Sequence, residues 1–185
     1  CTSPISASLS GLVACSFHTG SVKEAIHQLK YEDLQRVAVP LGAWMAQRWP
    51  LLAPVGWAAD VVVPVPLHPQ RERRRGYNQS ALLARELAKH LGLPVATDIL
   101  VRARATRPQV GLSQDERAVN VHDAFTCTAN SFAGRRVLLV DDVCTTGSTL
   151  AAACHALRMA GASSVWAYCL ARAGSVEPAR EPDHP

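Results

Sequence analysis

The stretch VLLVDDVCTTGSTL, residues 137–150, sets the question on which the fold turns. Val137 to Val140 form a continuous apolar run, which reads as a strand buried on both faces. Asp141 and Asp142 follow at its carboxyl end, and Thr145, Thr146, Gly147, Ser148 and Thr149 then turn the chain into a helix. Carboxylates repel phosphate. Hydroxyls, the amides of a helix start and a glycine that permits close backbone approach attract it. A ligand with vicinal ribose hydroxyls at one end and a phosphate at the other satisfies both halves of the motif. A Walker-type loop is excluded, because GxxxxGK[ST] is absent and no lysine follows Gly147. A merely structural turn would leave two adjacent acids at a strand end without a purpose.

Working outward, the chain alternates strands with helices. DVVVPVP (60–66) reads as a strand, and NQSALLARELAKHLG (78–92) as a helix with apolar Leu82, Leu83, Leu87 and Leu91, closed by Gly92. PVATDILVRAR suggests a strand running into a loop, and SQDERAVNV opens with Ser113 and Glu116 at capping-box spacing. GSTLAAACHALRMAGA reads as a helix and SVWAYCLAR as a last strand. Upstream, LVACSF reads as an early strand, VKEAIHQLK as a helix with Val22, Ala25, Ile26 and Leu29 on one face, and LGAWMAQRW as a helix with Pro40 near its start. Such alternation predicts a mostly parallel sheet flanked by helices, with ligands beyond the carboxyl ends of its strands. The expected organisation is an N-terminal extension with accessory helices at 1–58, the main domain at 59–172 and a disordered tail at 173–185.

At 185 residues, with 48% hydrophobic and 18% charged residues, the chain suits one ordinary globular domain. No apolar run reaches the ~18 residues of a membrane span, and no stretch reads as a signal peptide. The first residue is Cys1 rather than Met, so the chain is expected to be a piece of a longer protein. The six cysteines, at 1, 15, 127, 144, 154 and 169, form no CxxC pair, which argues for a reducing cytoplasm rather than a disulfide framework. Of the nineteen lysines and arginines only Lys23, Lys30 and Lys89 are lysines. Arginines cluster at Arg71, Arg73, Arg74 and Arg75 and again at Arg102, Arg104 and Arg107, and their planar forks suit phosphate.

VLLVDDVCTTGSTL resembles the phosphoribosyl pyrophosphate motif of type I phosphoribosyltransferases. IHQLKY (26–31), VPVPLHPQRERRRGYNQS (63–80) and RARATRPQVGLSQDERAVNVHDAF (102–125) are similar to one branch of that superfamily, the ComF-type competence proteins. The resemblance covers about residues 22–172. It implies a type I phosphoribosyltransferase-like fold with a small N-terminal helical extension and a mobile loop, and a role in DNA uptake during natural transformation. It also implies phosphoribosyl pyrophosphate as ligand, accompanied by Mg²⁺ held largely by ligand oxygens and water. Members usually carry an N-terminal zinc ribbon. Here Cys1 and Cys15 alone cannot close such a site, so zinc is expected only where a longer native N-terminus carries the ribbon, and no residue of this piece is assigned to a metal.

The resemblance further assigns roles. Asp141 and Asp142 would steady an oxocarbenium-like state during displacement at the anomeric carbon, and Thr145 to Thr149 would hold the 5-phosphate. Arg75, Gly76 and Arg74 would bind pyrophosphate, with Arg71 and Arg73 in electrostatic support. Arg102, Arg104, Thr106, Arg107 and Gln109 would lie on the flexible loop, with Arg117 and Asn120 on the helix behind it. Lys30 and Tyr31 match the branch but acquire no mechanism, His68 is a candidate base by position alone, and Cys144 reads as a bystander near a helix start. Two other functions stay open: salvage of a free nucleobase, and a non-enzymatic module in which the arginine loops grip single-stranded DNA. Against the latter, Tyr77 is the only aromatic in those loops. The acceptor, oligomeric state and direct contacts with the uptake machinery are left open.

Overall fold

Val137 to Val140 are each fully buried, and the reason is their place in the middle of a sheet covered on both faces. The structure is a computed structural model that describes residues 9–31, 34–103 and 124–174. Its main sheet has the order β1-β6-β5-β2: β1 (Gly11–Phe17), β6 (Ser164–Arg172), β5 (Arg136–Cys144) and β2 (Val61–Pro64). Every pairing is parallel, with Val61 against Val137, Val137 against Val165 and Gly11 against Trp166. Side chains alternate along the central strand. Val137 and Leu139 pack with Ala153 and Leu157 of α5 (Ser148–Met159), whereas Leu138 and Val140 pack with Leu83 and Leu87 of α4 (Gln79–Leu91).

Among the described residues the expected helices form where the periodicity placed them. In α1 (Gly20–Tyr31) Ile26 and Leu29 are buried, with Val22 packed at the margin of the same core. Helix α2 (Ala38–Leu52) carries Pro40 in its first turn and follows a short 3₁₀ turn, Gln35–Val37. It crosses α4 closely at Gly42, where an added Cβ would lie 2.4 Å from Glu86 Cβ. Helix α4 starts at an Asn78 side chain that accepts the Ser80 amide and ends on Gly92 at φ 68°.

Three expectations need revising. β5 does not end at the acids: it continues through Cys144, because pairing with β6 persists to Cys144 against Arg172. The strand expected in PVATDILVRAR is short, β3 (Leu100–Arg102), and lies outside the parallel sheet, antiparallel to β4 (Phe125–Cys127) against α5. A short helix unforeseen in the arginine segment, α3 (Pro69–Arg75), stands between β2 and α4. LVACSF is the edge strand β1, so the N-terminal residues complete the same sheet as the main domain. The capping box at Ser113 and the tail beyond residue 174 lie outside the described residues. Among the described residues no helix is long and apolar enough to cross a membrane.

Candidate functional site

The carboxyl ends of β2 and β5 open into a cavity of about 1080 Å³, the position parallel sheets offer to ligands. Asp141 and Asp142 line it and are nearly closed off from solvent, at 8% and 4% exposure. Asp141 Oδ1 accepts from Ser80 Oγ at 2.8 Å and from the Asp142 amide at 2.9 Å. Burial, with the Asp142 charge beside it, pushes the Asp141 carboxyl up to about 7; those two hydrogen bonds and the Lys30 charge pull the other way. Asp142 Oδ1 accepts its successor's amide, from Val143, at 2.7 Å. Its Oδ2 is sealed from water and lies 2.6 Å from the Lys30 ammonium, an ionic contact with no other donor at hand.

Thr149 lines the same cavity, at the first turn of α5. Gly147, at φ 79°, makes the bend into that helix, and its carbonyl takes the first helical bond from the Ala151 amide at 2.9 Å. The amides of the first turn therefore lack carbonyl partners within the helix. Thr146 and Ser148 hydroxyls lie 3.0 Å apart, and Thr145 and Thr146 are exposed. Thr145, Thr146, Gly147 and Ser148 adjoin the cavity through the chain rather than lining it.

Of the arginine segment, Arg71, Arg74 and Arg75 line the cavity, as one face of α3 at spacings of three and four dictates. Arg73 is exposed and outside the lining, on another face of the same helix. Arg75 donates to Gln79 Oε1 and its guanidinium lies 5.6 Å from the Tyr31 ring centre. Gly76, at φ 84°, ends α3 and is not a lining residue. His68 caps α3, its Nδ1 accepting from the Gln70 amide at 3.3 Å. Arg102 closes the far side above Phe125, 5.3 Å from that ring centre, where burial and then the Arg71 charge lower its pKa. Arg104, Thr106, Arg107 and Gln109, with Arg117 and Asn120, lie outside the described residues.

The segment after α3 acts inward. The Tyr77 hydroxyl donates to the Leu29 carbonyl at 2.7 Å, Asn78 Nδ2 donates to the Val65 carbonyl at 3.0 Å, and Ser80 holds Asp141. Ser80 is a site residue that sequence reasoning passed over, and Lys30 is one to which it gave no mechanism. Lys30 had a local signal, one charge beside the buried Leu29; Ser80 had none apart from its place after a helix cap. Cys144 ends β5 with its thiol in the core, where a bond to Cys169 and then the Arg172 charge bring it down to about 7 against burial; the helix start is not the cause.

Five cationic side chains and two carboxylates thus share one cavity. That suits a polyanion with hydroxyls more than a neutral ligand. Metal binding by the protein fits poorly. Among the described residues no three of His, Cys, Asp and Glu gather as a ligand set, and Lys30 already occupies Asp142.

A family model, the phosphoribosyl transferase domain, matches residues 78–183. Competence protein F of Haemophilus influenzae is 43% identical over 116 residues, covering 62% of this chain and 51% of that protein. The chain therefore spans about half the length of that relative. DNA utilization protein YhgH of Escherichia coli K12 is 35% identical over 167 residues, 87% of this chain and 71% of that one. A glutamine phosphoribosylpyrophosphate amidotransferase structure from B. subtilis aligns at a TM-score of 0.49 with 27% identity, over 72% of this chain and 26% of that one.

Proposed function

The chain belongs to the phosphoribosyl transferase domain family, in its ComF branch, and from that premise we propose that its cavity binds phosphoribosyl pyrophosphate in the service of DNA uptake. The observation that carries this reading is the meeting of the acidic doublet, the start of α5 and the inner face of α3 in a single cavity. The sugar hydroxyls are read by Asp141, the 5-phosphate by the first-turn amides and Thr149, and the diphosphate by Arg71 and Arg74. A planar guanidinium grips such oxygens in pairs.

Where an acceptor is present, the same geometry serves transfer. The bond from the anomeric carbon to pyrophosphate breaks with its electron pair leaving on the pyrophosphate, the ring carbon gains positive charge that the doublet faces, and the acceptor's lone pair forms the new bond to that carbon. One well-placed electrostatic group contributes on the order of 3 kcal/mol to such a transition state. Magnesium would be held by diphosphate oxygens and water and would supply charge screening there; the chain itself supplies the orientation and the arginines.

Titration calorimetry of Asp141→Asn/Asp142→Asn tests the assignment. Binding of phosphoribosyl pyrophosphate is expected in the unaltered chain and lost in the double variant; equal affinity in both removes the acids from the site. Released pyrophosphate, assayed over a panel of bases and amines, reports whether any acceptor is used.

A further inference from the structure

Lys30 is not a loose surface lysine. It sits in the last turn of α1, next to the fully buried Leu29, whose carbonyl is pinned by the Tyr77 hydroxyl at 2.7 Å. Its side chain is 21% exposed, it lines the cavity, and its ammonium reaches Asp142 Oδ2 at 2.6 Å. That partner is sealed from water and its other oxygen is held by the Val143 amide. The cost of ordering a long side chain is met by the fold before any ligand arrives. Asp142 consequently carries a cation of its own inside the cavity. An ammonium has three donors, and one contact to Asp142 leaves two for another anion.

We propose that Lys30 is a ligand-binding residue, neutralising Asp142 and meeting an anionic oxygen of the sugar diphosphate from the same spot. The inference rests on phosphoribosyl pyrophosphate being the ligand. It predicts that binding survives removal of magnesium, because part of the neutralising charge is built in.

Two measurements test it. Calorimetry with phosphoribosyl pyrophosphate, with and without magnesium, compares the unaltered chain with Lys30→Met and Lys30→Arg. Without magnesium, Lys30→Met is expected to bind about ten-fold more weakly, the worth of one charge-assisted hydrogen bond, and to recover most of the loss when magnesium is added. Lys30→Arg keeps the charge but not the compact head, and should fall between. The second measurement needs no variant. The lysines are Lys23, Lys30 and Lys89, and the two others are exposed. Saturating ligand should slow amine acylation at Lys30, read by mass spectrometry, and leave Lys23 and Lys89 unchanged. This footprint decides the matter even where Lys30→Met fails to fold. If the unaltered chain binds no phosphoribosyl pyrophosphate, the proposed function itself is wrong. If it binds, but Lys30→Met matches it at every magnesium level and Lys30 acylation ignores the ligand, only the role of Lys30 is overturned.

Discussion

Asp141→Asn is expected to stabilise the folded chain at neutral pH while abolishing its ligand binding. The carboxyl is buried against Asp142, and its pKa rises from 3.8 to about 7. Between those values the folded chain keeps a proton that the unfolded chain has released, so wild-type stability falls as pH rises through the window. It is greatest below about pH 4, and the loss levels off above about pH 7. So large a rise, shared with the neighbouring Asp142 charge, corresponds to on the order of a few kcal/mol. Asparagine keeps an acceptor for Ser80 Oγ and for the Asp142 amide, so the substitution removes the charge and little else. Urea unfolding of both proteins from about pH 4 to about pH 8 measures the difference. The variant should gain on the wild type across the window and end ahead by on the order of a few kcal/mol, with the histidines common to both cancelling. Parallel stability curves would refute the argument, since they would mean that Asp141 ionises at no cost to the fold. A carboxylate kept in place against the stability of its own protein is a mark of function.

Two further sets of substitutions examine the packing and the electrostatics separately. Gly42→Ala sets a methyl 2.4 Å from Glu86 Cβ, with the Leu87 amide at 3.2 Å, and should cost about 1–3 kcal/mol in denaturant unfolding; an unchanged midpoint would show that α2 and α4 separate freely. Arg74→Ala should weaken binding of inorganic pyrophosphate about ten-fold in calorimetry while Arg73→Ala leaves it nearly unchanged, and equal losses would argue for a diffuse basic loop in place of a phased helix face.

The parts of this molecule that were legible in the sequence are those whose chemistry is complete within a few residues. A run such as Val137–Val140 can only be buried on both faces, and acids followed by hydroxyls and Gly147 state their requirements locally. Helix α3 was legible in principle too, since His68 and Pro69 open it and Gly76 ends it, and its phase would have separated Arg73 from Arg74. What could not be read is pairing between distant elements: Lys30 with Asp142, Tyr77 with Leu29, Ser80 with Asp141. No periodicity in α1 predicts which acid its last lysine will meet, because that depends on how α1 lies on the sheet. β4 escaped for the same reason, and with it the antiparallel pairing that takes the expected strand, β3, out of the main sheet.

In the RGYNQS segment this dependence on distant partners bears directly on function. Its arginine and glycine suggested a ligand loop, yet Tyr77, Asn78 and Ser80 point into the protein, and each holds a different piece of the site. Tyr77 fixes the helix end that carries Lys30, Asn78 joins the end of β2 to the start of α4, and Ser80 orients the acid that meets the sugar. Arg75 is itself engaged with Gln79 and lies over Tyr31, so the cations on this side with fewer ties to the fold are Arg71 and Arg74. The segment therefore acts on a ligand chiefly through what it positions. Loss of Ser80 or Tyr77 should disturb binding in ways that resemble loss of Asp141 or Lys30, which no reading of the motif as a phosphate cradle would anticipate.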